Sequence, residues 1–206
     1  MNCLAIDTTN SKLTVVLLKD DETFHREIEV GKSGHSRLLM PTVDEVLKEG
    51  GVAVADVDTV AAVVGPGSFT GIRIGVSAMT AIAFANDAKR IGVTSFELIA
   101  YNCANVTAVV DAGYGNAYCA ECKDGEVIST SFVSADELNN TLLGAKPVGA
   151  VEETKSPQNI KTAPNCESWK ALAGVVRKKI DNGCYQTVLS PYYMRKSQAE
   201  REKDEV

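Results

Sequence analysis

The segment TVAAVVGPGSFTGIRIG, Thr59 to Gly75, decides how this chain is read. Thr59 to Val64 is a continuous apolar run of strand length. Gly65-Pro66-Gly67 turns the chain. From about Ser68 to Asn86 apolar residues then recur at helical spacing. Backbone N–H groups at such a strand-to-helix turn can hold an anion. The spacing nevertheless matches no phosphate motif. Ile72 follows Gly71 where a P-loop needs lysine, and three residues rather than two separate Gly67 from Gly71. Gly67 directly precedes Ser68, which also excludes a G-x-S-x-G nucleophile elbow.

The helix that follows is more informative. Glycine inside a helix costs about 1 kcal/mol relative to alanine, so Gly71 and Gly75 need a compensating gain. Close approach of another backbone is the expected one. Phe69, Ile72, Val76, Met79 and Ala83 share one face, while Ile74, Ala78, Ala81 and Ala85 lie toward another. A helix apolar on two sides is either buried in its own domain or shared with a partner, and the pattern fits both.

Working outward, Asn2–Ile6, Leu13–Leu18 and Thr23–Val30 read as three antiparallel strands, with a polar turn over Lys19–Glu22. Between His35 and Gly51 the period becomes helical, with Leu38, Leu39, Val43, Val46 and Leu47 on one stripe. Pro41 is placed in about the first turn, where its missing N–H costs little. Short strand and helix patterns follow at Ile91–Val93 and Phe96–Asn102.

The pattern then restarts. Val106–Val110 ends at Asp111 as Ile6 ends at Asp7, and strands follow at Ala117–Cys122 and Val127–Val133. Ala135–Leu143 reads as helix, Pro147–Val151 as strand and Ser168–Ile180 as helix. Two halves that each open on a meander whose first strand ends in aspartate predict an α/β, actin-like (ASKHA, ribonuclease H-like) duplicated fold. The expected division is an N-terminal domain over 1–103 and a C-terminal domain over 104–206 with a charged tail.

Composition narrows the chemistry. The chain has 206 residues, 45% hydrophobic and 23% charged, which suits a globular protein. Its net charge is −6, and no basic stretch announces a phosphate-gripping surface, so tight RNA binding by the isolated chain is not expected. No apolar run reaches about 18 residues, so no membrane-spanning helix is expected. Met1–Asp7 lacks the basic start and long apolar stretch of a signal peptide, which points to the cytoplasm.

The six cysteines include one C-x-x-C, Cys119 and Cys122, without the second pair a zinc site needs. On a strand the two thiols would face opposite sides. His25 and His35 are the only histidines and form no H-E-x-x-H or other helical pair. No metal site and no catalytic residue is therefore assigned. Asp7, Thr8 and Thr9 after the first strand, with Asp111 and Gly113 in the second half, could frame a nucleotide; they equally suit strand-to-turn positions.

The chain resembles the TsaB (YeaZ-like) family. The matching residues are Leu4–Thr9, His35–Pro41, Gly65–Gly75, Asp111 and Ala112 with Tyr118, and Pro191–Arg195 followed by Ala199 and Glu200. The resemblance implies a non-catalytic, actin-fold subunit that helps form threonylcarbamoyladenosine on the tRNA base beside the anticodon. It implies pairing with TsaD, the related catalytic subunit, through the N-terminal helices, and work with the ATPase TsaE. It further implies a homodimer when the chain is alone, and contact with tRNA only through the complex.

On that resemblance, His35, Leu39, Val43, Val46, Phe69, Ile72, Arg73, Val76 and Met79 would form the partner interface. No cofactor is expected on this chain, ATP and magnesium belonging mainly to the partner subunits. Gly113 departs from the arginine that many relatives carry there, which makes Asp111-Ala112-Gly113 more like an actin-type phosphate loop. A nucleotide-hydrolysing actin-type ATPase and a glycoprotease-like peptidase are the competing functions.

Overall fold

The computed structural model of the protein describes residues 1–31, 34–141, 147–150 and 166–195. The charged tail expected over Ser197–Val206 lies outside them. β1 (Asn2–Asp7), β2 (Lys12–Lys19) and β3 (Glu22–Glu29) form the expected meander. β1 then pairs in parallel with β4 (Thr59–Gly65), setting Ile6 opposite Ala62, and β4 pairs in parallel with β5 (Lys89–Thr94). The sheet order is β3-β2-β1-β4-β5.

Both faces of this sheet are covered, which is why β1 and β4 are apolar at nearly every position. Leu4, Ile6, Val60, Ala62 and Val64 face α1 (His35–Glu49) and α2 (Phe69–Asn86). Cys3, Ala5, Ala61 and Val63 face α5 (Ser168–Asp181) through Leu172, Ala173, Val175 and Val176. Arg177 of α5 donates to the carbonyl oxygens of Asp20 and Glu22, and Trp169 stacks on His25 with centroids 3.9 Å apart. This last helix of the second half thus packs on the first sheet.

The second sheet repeats the first in miniature. β6 (Asn105–Gly113), β7 (Asn116–Lys123) and β8 (Glu126–Val133) form a meander, and β9 (Pro147–Ala150) runs parallel to β6. The order β8-β7-β6-β9 matches β3-β2-β1-β4. This repeated order makes the chain an actin-like duplicated α/β fold. α3 (Ser95–Ile99) lies between the two sheets, with Leu98 against the α5-facing side of the first and Phe96 in the core of the second. A capping box between Thr94 and Glu97 starts it, and Lys179 of α5 pairs with Glu97 at 2.7 Å. α4 (Ala135–Thr141) covers the other face of the small sheet through Leu138.

Two local expectations change or sharpen. Pro41 lies in the second turn of α1, not the first, on its exposed side, so the Arg37 carbonyl receives no N–H from it. Cys119 and Cys122 do lie on opposite faces: Cys119 packs with Val109 and Leu138, Cys122 with Val106 and Ala108. Burial pushes both thiols up to about 11. Among the described residues no group of three or more His, Cys, Asp and Glu side chains converges as a metal site would, and no helix is long and apolar enough to cross a membrane.

Candidate functional site

The Gly65–Gly75 segment is built against the turn that follows β1. Asp7 organises that turn: its Oδ1 accepts from the Thr9 N–H at 2.8 Å and the Thr9 hydroxyl at 2.7 Å, and its Oδ2 accepts from Asn10 Nδ2 at 3.1 Å. The Ser68 N–H donates to the Thr9 carbonyl at 2.7 Å, and the Thr8 hydroxyl donates to the Gly71 carbonyl at 2.7 Å. Ser68 also caps α2, accepting from the Gly71 N–H at 3.2 Å. Ser95 closes the cluster by donating to the Pro66 carbonyl at 2.7 Å.

The glycines follow from this docking. Gly65 has φ +117°, a conformation favouring a residue without Cβ. A Cβ on Gly71 would collide with the Thr8 carbonyl oxygen, one on Gly75 with the Thr8 hydroxyl, and one on Gly67 would lie 2.6 Å from the Thr9 carbonyl oxygen. A backbone does approach α2 closely, but it belongs to the chain's own β1–β2 turn, not to a partner helix.

Asp7 is buried, and loss of solvation raises its carboxyl above the ordinary range, opposed by its bonds to Thr9 and Asn10 and by the charge of His35 nearby. Both Asp7 oxygens are thus engaged by the turn itself. Thr8 and Thr9 are brought beside it. Asp111 sits in the second sheet, where its Oδ1 accepts from the Gly113 N–H at 2.7 Å. No hydrogen bond joins the two turns among the described residues.

The expected interface residues separate into two groups. His35, Leu39, Val43 and Val46 on α1, and Ile72, Val76 and Met79 on α2, are buried in this chain's own structure. All but His35 belong to the core facing the first sheet, so they cannot be a partner surface of the folded subunit. The bulkiest stripe of each helix faces inward because it buries the most area there. Phe69 is half-buried and Arg73 exposed.

What α2 presents outward is its smaller face: Thr70, Ser77, Ala81 and Phe84 are exposed, with Ile74 and Ala78 half-buried. Phe84 is 84% exposed, an unusual position for a phenylalanine. This second apolar stripe was visible in the helical spacing; the spacing alone did not tell inside from outside.

The C-terminal strap was missed as part of the site. Leu189 enters the core between the first sheet and helices α1 and α2, and the Tyr192 N–H donates to the Val64 carbonyl at 2.8 Å. Tyr192 packs against that core and against the core of the second sheet. Tyr193 stacks on Phe69 with centroids 4.6 Å apart and accepts from Arg73 Nε at 3.0 Å, while Arg73 lies 3.9 Å over the Phe69 ring. The only sequence signal was the Pro191–Arg195 match itself.

Residues 28–153 match the family model described as TsaD: tRNA N6-adenosine threonylcarbamoyltransferase. Two curated relatives, both described as tRNA threonylcarbamoyladenosine biosynthesis protein TsaB, come from Bacillus subtilis and Escherichia coli. The first is 34% identical over 57% of this chain and 53% of its own length. The second is 32% identical over 61% of this chain and 57% of its own length. The matched region therefore spans little more than half of those relatives. The solved structure of YeaZ from Pseudomonas aeruginosa superposes with TM-score 0.72 at 26% identity, covering 93% of this chain and 99% of that one. The chain belongs to this family, as a TsaB (YeaZ-like) member. For a TsaB-family chain, the features at hand are a sealed turn at Asp7–Asn10 and an uncovered, small-residue face on α2.

Proposed function

We propose that this chain is a non-catalytic partner subunit in the formation of threonylcarbamoyladenosine in tRNA, docking a TsaD-type subunit through the outward face of α2. The exposed face carries the proposal: Ala81, Ser77 and half-buried Ala78 allow another helix close approach, and Phe84 and half-buried Ile74 add apolar surface to it. The TsaB-named relatives supply the pathway. A TsaE-type ATPase completes the proposed assembly, with tRNA reached through the complex and the cytoplasm as the setting. Alone, the chain would pair with itself through the same face.

The competing function is an actin-type nucleotide-hydrolysing enzyme. The engagement of Asp7 by Thr9 and Asn10 favours the partner-subunit role, because the carboxylate already spends its acceptors on its own turn. Calorimetry of the isolated chain with ATP and magnesium discriminates the two. No turnover is expected, and tight binding with turnover would defeat the proposal. Pull-down with the TsaD-type subunit of the same cell, followed by tRNA modification with and without this chain, tests the positive side.

A further inference from the structure

Arg73 is the one cation on α2, and the chain has already fixed its orientation. Phe69 lies 3.9 Å from its guanidinium carbon, the Tyr193 ring 5.9 Å, and Nε donates to the Tyr193 hydroxyl. Yet the residue is exposed, and no ion pair joins it to a carboxylate among the described residues. Surface arginines ordinarily sample many rotamers, and each contact they make must first overcome that freedom. Here the stacked ring and the Nε bond remove it before any partner arrives. Among the described residues nothing else engages the two terminal nitrogens, which form a rigid fork.

We propose that Arg73 is the charged anchor of the α2 docking face and takes a carboxylate of a chain different from this one, in a two-pronged contact. This rests on α2 being the docking face. A planar guanidinium held at its flat side and at Nε matches a carboxylate's paired oxygens. Its neighbours on the face, Ile74, Ser77 and Ala81, are small or apolar. A docked partner would strip water from the arginine there, and an unpaired buried charge is costly. A paired one becomes a centre of binding strength.

The partner's identity follows from what α2 lacks. Phe69–Asn86 contains no acidic residue, and its one adjoining carboxylate, Asp87, sits at the C-cap, so two copies crossing at Ser77 and Ala81 would bring Arg73 no carboxylate from within the helix. An RNA phosphate is disfavoured because the chain carries a net charge of −6 and α2 offers no second cation.

The test measures affinity of the full chain for the TsaD-type subunit, using Arg73→Gln, Arg73→Lys, Tyr193→Phe and, as a control for the face itself, Ala81→Arg. Arg73→Gln is expected to weaken pairing at least about tenfold. Arg73→Lys should not rescue it, since an ammonium lacks the fork. Tyr193→Phe should give a smaller loss. If Arg73→Gln binds like wild type while Ala81→Arg does not, the anchor is wrong and the docking face stands. Wild-type binding by Ala81→Arg overturns the docking face itself. Loss of self-association alone, or of tRNA binding alone, in Arg73→Gln also overturns the proposal.

Discussion

The Thr8 hydroxyl donates to the Gly71 carbonyl at 2.7 Å, and the Thr8 carbonyl occupies the space a Cβ on Gly71 would need. The β1–β2 turn and the start of α2 are therefore fitted to each other at backbone level. Alanine is the better helix former by about 1 kcal/mol, so a helix judged alone would gain from Gly71→Ala. The obstacle here is a backbone oxygen, and overpacking costs about 1–3 kcal/mol. Gly71→Ala is expected to lower the melting temperature. A rise would show that the turn yields freely.

The two faces of α2 predict opposite phenotypes from the same residue type. Val76→Arg puts a cation among Ile6-side core residues and is expected to leave the subunit unfolded by circular dichroism. Ala81→Arg is on the outward face and should melt within about 0.5 kcal/mol of wild type, while losing its partner. A folded Val76→Arg would mean that its stripe is not core.

Asp7 gives a pH prediction. Its folded carboxyl sits above the unfolded value because it has lost solvation. Below the unfolded value, about 3.9, both states are protonated and Asp7 costs nothing. As pH rises toward the folded value, the unfolded chain releases its proton first, and stability from this residue falls. Above the folded value the loss is complete and constant. Asp7→Asn retains an oxygen for Thr9 but presents an amide nitrogen toward Asn10, a fixed cost at every pH. The melting temperature of Asp7→Asn minus that of wild type should therefore climb as pH is raised from about 4 and then level off. A flat difference would show that Asp7 is not a buried charge.

The duplicated meander is legible because each half opens on a short apolar run that leads into an aspartate, Asp7 and Asp111, and apolar runs of strand length alternate with helical patterns between them. The packing of α5 on the first sheet was not, since its stripe of Leu172, Val175 and Val176 states that it packs, not where. The site divided in the same way. Gly71 and Gly75, one helical turn apart, announced a close approach. The approaching residue, Thr8, is 63 positions away and arrives through the parallel pairing of β1 with β4, a long-range fact that no local pattern encodes. The helical pattern of Ile72, Val76 and Met79 suits core or interface alike and the resemblance assigns them to the interface, but the chain's own sheet claims that bulky face first. Arg73 and Phe69 kept their surface positions, but Tyr193, 120 residues on from Arg73, joined them only through the fold.

Whether this chain serves tRNA modification by docking through α2 is tested most directly by reconstitution. Threonylcarbamoyladenosine formed on tRNA would be measured with the TsaD-type and TsaE-type proteins of the same cell, adding no further chain, the wild-type chain or Ala81→Arg. The account predicts modification that depends on the wild-type chain and is lost with Ala81→Arg although that variant is folded. Full modification without this chain, or with folded Ala81→Arg, would contradict it.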